Sequence, residues 1–303
     1  FMVARTELAD AVETSAKGGS ERGSWRSAAK RIEYRVDLAK LADAGQDVDS
    51  AARVGQSFAA PMSSVLLVPE PLTTDIPVTV WVETEPLQAF ATGLLLGEQA
   101  DSYRLMAHEI PVATYFAFGK LERKTLDISG ARIELTKLDG RMDQSLSALA
   151  SWIERSAQAV RAFYGEFPMP RTSVTLLPVS GRSTVVFGKV LPESAPGIVL
   201  LVGEHADNKA LYSDWILIHE LFHLGVPSFY GEGKWLDEGL ATYYEPIIRV
   251  RAGLYTEAQM WDELERSLPQ GMPAYTQLGL EQASDFRGIY WGGAIACLVA
   301  DVE

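Results

Sequence analysis

The pentapeptide His219-Glu220-Leu221-Phe222-His223 constrains this 303-residue chain more than any other short segment. On a helix, residues i and i+4 share one face about a turn apart, so two imidazoles at that spacing can reach a single ion. The glutamate between them stands close enough to polarise a water on that ion. The chain has four histidines, and two of them fall here. The flanks agree with a helix, because Leu211, Tyr212, Trp215, Ile218 and Phe222 recur at helical rather than alternating spacing. Asp207 or Asn208 can cap its start, and Gly225 with Pro227 ends it just after the second histidine. Almost every other position is apolar, which predicts one continuous buried helix. A charged triplet in such a helix needs a compensating partner, and a metal ion supplies one.

A catalytic zinc ion takes three protein ligands and keeps one position for water. After the turn-rich stretch Gly225 to Gly233, the segment Trp235-Leu236-Asp237-Glu238-Gly239-Leu240-Ala241-Thr242-Tyr243-Tyr244-Glu245 reads as a second helix. Taken together, HELFH and WLDEGLATYYE resemble the gluzincin zinc metallopeptidases, in particular the aminopeptidase N and glycyl aminopeptidase families. The resemblance implies Zn2+ held by His219, His223 and Glu238, with Glu220 as general base. Fourteen residues separate His223 from Glu238, fewer than in the aminopeptidase N pattern, so the connecting loop differs. Glu232 is the rival third ligand, but it sits in the glycine-rich loop with no rigid element beneath it. Glu245 shares a helical face with Glu238 and matches a glutamate often found there. It is expected to steady a histidine ring or the ligand helix.

Further on, Gly288-Ile289-Tyr290-Trp291-Gly292-Gly293-Ala294 resembles the tyrosine-x-x-glycine-alanine segment of the same families and opens an apolar helix. By that resemblance Tyr290 donates a hydrogen bond to the oxyanion formed at the peptide carbonyl. Tyr243, Tyr244 and Tyr275 are the alternatives. One segment departs from the pattern. Aminopeptidase N relatives carry a glycine-x-methionine-glutamate-asparagine run whose glutamate anchors the substrate's free amino group, whereas residues 181–189 here hold no glutamate. That stretch can still pair with an extended peptide as an edge strand. Peptide hydrolysis is thus the expectation, with aminopeptidase and endopeptidase action both open. The alternatives are a zinc hydrolase of another substrate, or a binding or scaffold module with a non-catalytic zinc. An intact Glu220 argues against the last, since a structural site has no use for a base.

The expected fold is α+β: an antiparallel β-sandwich-like domain, then a thermolysin-like mixed α/β catalytic domain. Residues 1–29 read as a linker-like N-terminal segment, with Lys17 to Ser24 rich in small and polar residues. Residues 30–137 read as β-rich, with candidate strands at 32–38, 64–68, 78–84, 102–107, 113–118, 122–127 and 132–136. Residues 138–303 read as the catalytic domain. Its pieces are a helical stripe from Leu146 to Phe163, strands at 173–179, 183–187 and 197–202, the two motif helices with a bend at Pro246, and a capping box at Thr256/Gln259. The resembling families usually carry more helices after this point. The start at Phe1-Met2 and a helix still running at Glu303 therefore read as a processed or engineered piece.

Net charge is −13 with no long basic run, which speaks against a nucleic-acid partner and for a peptide or protein substrate. No signal peptide or membrane span is apparent, compartment and oligomeric state stay open, and Cys297 sits in an apolar helix as packing. Asp47 and Asp49 read as a solvated loop.

Overall fold

The computed structural model describes residues 2–7, 31–45, 48–68, 76–191, 195–229 and 231–303. The linker-like run at 17–24 and Asp47 lie outside them. Strands β1 (Met2–Glu7) and β2 (Arg31–Val36) pair antiparallel, and helix α1 (Leu38–Gly45) follows. Next come β3 (Ala52–Val54), β4 (Ser57–Pro61), β5 (Pro77–Trp81), β6 (Ala89–Thr92), β7 (Leu95–Leu96), β8 (Ser102–Met106) and β9 (Tyr115–Gly119). These form two antiparallel sheets, ordered β3-β4-β9-β6 and β5-β8-β7. Ala60, Phe90 and Phe116 of the first share an apolar cluster with Leu105 of the second, and Val78 and Val80 pack on it. The two sheets thus bury their inner faces together, as alternation along β5 requires. The strand expected at 64–68 is instead a turn, in which Val65 and Leu66 donate their N–H groups to the Met62 carbonyl.

The remaining strands are β10 (Leu121–Ile128), β11 (Ala131–Leu138), β12 (Arg171–Val179), β13 (Val185–Leu191) and β14 (Gly197–Gly203). They form one sheet in the order β10-β11-β12-β14-β13, with β11, β12 and β14 parallel and the two outer strands antiparallel. The sequence reading closed the β-rich region at residue 137, but this sheet already begins at Leu121. The cause is a tight hairpin: Ser129 and Gly130 take left-handed backbone angles, and Gly130 N–H donates to the Asp127 side chain at 3.1 Å. That turn folds β10 onto β11, whose other edge pairs with β12. Ala59, Tyr115 and Ala117 pack with Leu138, Leu177 and Val199 to join the N-terminal sheets to this one.

Helix α2 (Leu146–Tyr164) is capped by Ser145, which accepts Ala148 N–H at 3.2 Å, and it lays Trp152, Ile153 and Val160 against the sheet. There follow α3 (Asn208–Tyr212), α4 (Ile216–Phe222), α5 (Lys234–Arg251), α6 (Glu257–Ser267) and α7 (Gly293–Val302). Thr256 and Gln259 form the expected capping box of α6, and α5 runs on through Pro246 to Arg251. A π-helical segment, Arg287–Gly292, leads into α7. Helices α5 and α7 meet backbone to backbone: a Cβ on Gly239 would lie 2.5 Å from Gly293 Cα, and one on Gly293 would strike the Trp235 carbonyl. Only glycine permits that approach. Among the described residues, no helix is long and apolar enough to cross a membrane.

Candidate metal centre

The helix expected to run unbroken up to the histidines is interrupted. α3 stops at Tyr212 and α4 begins at Ile216, because the Asp214 carboxylate takes the Leu217 N–H at 2.9 Å and restarts the helix. Arg249 of α5 holds the turn by donating to the Ser213 carbonyl at 2.8 Å. Burial pushes the Asp214 carboxyl up to about 6, with backbone donors and Arg249 opposing the rise. The restart leaves Trp215 as the residue before α4, and its carbonyl accepts the His219 N–H at 3.0 Å.

α4 then carries His219 and Glu220 inward, His223 follows at its end, and α5 brings Asp237 and Glu238 to meet them. His219 Nε2 lies 3.2 Å from His223 Nε2 and 3.2 Å from Glu238 Oε2, and His223 Nε2 lies 3.5 Å from Glu238 Oε2. Ligands ~2.1 Å from a tetrahedral ion stand about 3.4 Å from one another. The two imidazole nitrogens and the carboxylate oxygen therefore outline one face of such a coordination shell, and these three residues form a group able to hold a metal ion. The remaining nitrogen of His223, Nδ1, faces Asp237 Oδ1 at 2.8 Å, which directs Nε2 toward the group. The donor set fits zinc.

Electrostatics match this arrangement. Burial holds the His219 imidazole below its usual range, in the neutral form a metal requires. Burial also acts to lower His223, but hydrogen bonds to Asp237 and Glu238 outweigh it and raise the ring to about 10. Glu238 is held well below the usual carboxylate range, because the histidine hydrogen bonds outweigh its burial. A divalent cation would offset the two carboxylates and displace the His223 proton. Burial pushes the Glu220 carboxyl up to about 7, against the pull of His223. Its carboxylate accepts the backbone N–H of Val190 on β13, an outer strand of the sheet among the described residues. A Cβ on Gly188 of that strand would lie 2.9 Å from Glu220 Cγ, so glycine lets the edge strand pass directly beside this residue.

Tyr290 joins the same centre. Its ring lies parallel to His219 with centroids 5.6 Å apart, and its hydroxyl bonds to Glu238. Among the alternatives, Tyr243 donates to Asp301 at 2.7 Å and Tyr244 packs on Phe222 and Phe163, while Tyr275 is half-buried in a separate π-helical segment. Glu232 is exposed in the turn before α5 and outside the histidine group.

Glu245 was expected to steady a histidine ring or the ligand helix. Its carboxylate faces Arg249 at 3.2 Å, one turn along α5, so its contact is with the ligand helix and not with an imidazole. Asp237 takes the histidine contact, which the motif reading missed. The signal was adjacent: an imidazole has two nitrogens, and a carboxylate next to a ligand is placed to take the second.

No protein-family model matches the sequence, and no curated protein does. Solved structures do match the fold. The chain superposes on an aminopeptidase N family protein from Idiomarina loihiensis with a TM-score of 0.64 at 17% identity, over 83% of this chain and 50% of that one. It also overlaps an M1 zinc metallopeptidase from Deinococcus radiodurans (TM-score 0.43, 15% identity, 80% and 57% covered) and yeast LTA4 hydrolase (0.48, 14%, 81% and 42%). The chain spans about half the length of these proteins. At such identity the first match establishes likeness of fold, and that fold is the one the motifs resemble.

Proposed function

We propose that this chain carries the catalytic part of a zinc-dependent peptide hydrolase. The observation that supports this most directly is the triangle of His219, His223 and Glu238 donor atoms, with edges of 3.2, 3.2 and 3.5 Å. When bound, zinc polarises the attacked carbonyl and lowers the pKa of a water. The chain's own residues supply the rest. Glu220, buried on the same helix and shifted toward neutrality, takes the proton from that water and passes it to the leaving amine. Tyr290, tethered to Glu238 before reaction, turns its hydroxyl toward the developing oxyanion. Asp237 keeps His223 oriented. The outer edge of β13, beside Glu220, is suited to align an extended peptide by strand addition.

The test is Glu220→Gln. The variant should keep its fold and about one zinc per chain by elemental analysis, yet lose at least ~100-fold in turnover of a mixed peptide library. Turnover like wild type would overturn the assignment.

A further inference from the structure

Two large aromatic side chains stand open to solvent at this centre, each one helical turn ahead of one of its residues. Trp215 precedes His219 by four and is 39% exposed; Phe286 precedes Tyr290 by four and is 52% exposed. Residues at that spacing share a face, and each ring lies against its successor. The Trp215 ring meets His219 edge-on at 5.4 Å and 88°, and the Phe286 ring lies 4.2 Å from Tyr290 at 30°. Because Tyr290 itself stacks on His219, the four rings form one continuous run: Trp215, His219, Tyr290, Phe286.

Local structure explains both placements. The Asp214 restart sets Trp215 at the mouth of α4, and Phe286 is the residue from which the π-helical turn bearing Tyr290 starts. Exposed aromatics such as Trp81 and Trp261 are ordinary surface features. Trp215 and Phe286 differ because the rings they touch belong to the candidate centre. On the β13 side, Phe187 is also half-exposed, next to the glycine that admits Glu220.

We propose that Trp215 and Phe286 are specificity-determining residues, selecting peptides with a large apolar side chain, aromatic or leucine-like, next to the scissile bond. A carbonyl held between His219 and Tyr290 places the adjoining side chain within reach of the two flanking rings, where its apolar surface leaves water. Replacing such a side chain by a methyl group costs at least ~10-fold in binding. A cationic side chain could stack on the same rings, but its charged end stays hydrated, so it gains less from leaving water than an apolar one. The place of the carbonyl rests on the hydrolytic reading above; the affinity ratio is read apart from turnover.

The experiment uses the full chain as Glu220→Gln, loaded with zinc, and calorimetric titration of one pentapeptide frame with Phe, Leu, Ala or Lys at its centre. Phe and Leu should bind at least ~10-fold more tightly than Ala. Adding Trp215→Ala or Phe286→Ala should shrink that ratio to within ~3-fold. Circular dichroism and zinc content check the fold, and Phe286→Ala, which touches no ligand ring, decides the matter if Trp215→Ala does not fold. Equal affinity for Phe and Ala, tighter binding of Lys, or an unchanged ratio in the variants would overturn the proposal. A preference for Phe in binding, with no peptide cut by the unmodified chain, would uphold it and overturn the hydrolytic reading instead.

Discussion

Helix α5 carries two glutamates seven residues apart, one partly and one fully buried, and their surroundings drive them in opposite directions. At its start, Glu238 meets two imidazoles, whose hydrogen bonds outweigh burial and hold it well below the usual carboxylate range. Further along, burial pushes Glu245 well above that range. Its partner Arg249 is shared, since the same guanidinium also faces Glu263 at 3.8 Å and acts on Asp214. Three carboxylates around one cation cannot all stay ionised without cost, and burial raises both Glu245 and Asp214 above the usual carboxylate range. Identical side chains on one helix thus become a candidate metal ligand and a partner for Arg249. Burial alone does not make a ligand; the neighbouring imidazoles do.

The strongest way to break this contrast is to remove one glutamate at a time. Glu238→Ala, like His219→Ala or His223→Ala, should abolish both zinc and activity. Glu245→Gln should keep zinc affinity within ~3-fold of wild type, as its carboxylate touches no histidine. Elemental analysis showing full zinc in Glu238→Ala would dissolve the distinction. Next in size, Tyr290→Phe should lose on the order of 100-fold in kcat with little change in KM, because its hydrogen bond strengthens in the transition state. Asp237→Asn should then weaken zinc by about 10- to 100-fold in a chelator competition, with folding intact.

The Arg249 end gives a prediction in pH. A carboxyl raised to about 6 in the folded chain binds more protons than its unfolded counterpart between about 4 and 6. The stability Asp214 contributes is therefore present below about 4 and lost as pH rises through 6, on the order of 3 kcal/mol at most. Asp214→Asn, which can still accept the Leu217 N–H, should flatten that fall in a series of thermal melts from pH 4 to 7. A parallel decline in both proteins would place the titration elsewhere. The smallest effect concerns the substrate's amino terminus. With no glutamate in residues 181–189, acetylating a peptide should leave its cleavage within a few fold, and loss of all cleavage would mark the enzyme as an aminopeptidase.

The sequence exposed these two ends of α5 unequally, for a physical reason. His219, Glu220 and His223 stand at a helical spacing that few purposes other than metal binding require, so they were legible as a motif, whereas Glu238 was named through the resemblance of its own segment to a known family. Asp237 and Arg249 act across the gap between helices, and nothing in the spacing of one helix reports what faces it on another. The helix break at Ser213-Asp214 was hidden too, because apolar periodicity runs straight through it while the decisive event is one side chain capturing one backbone N–H. Among strands, the alternating run at β5 was readable. The alanine-rich β4 and β6 were not, since small residues carry almost no hydrophobic pattern. Residues 122–127 and 132–136 were read as strands but grouped with other neighbours, for a hairpin's amphipathic pattern does not say which sheet it joins.

The contact of Gly239 with Gly293 bears on how such a chain can change over time. Glu238 directly precedes the first glycine, and Tyr290 lies three residues before the second. Most packing contacts drift by exchange, one side growing as the other shrinks. Here neither side has anything left to give up, because both are already hydrogen where a side chain would begin. A methyl group gained on one helix has no compensating loss available on the other, so the spacing between the carboxylate and the tyrosine is closed to gradual revision. The aromatic residues at the mouths of the two helices carry no such restriction, and variation among descendants of this sequence should collect there first.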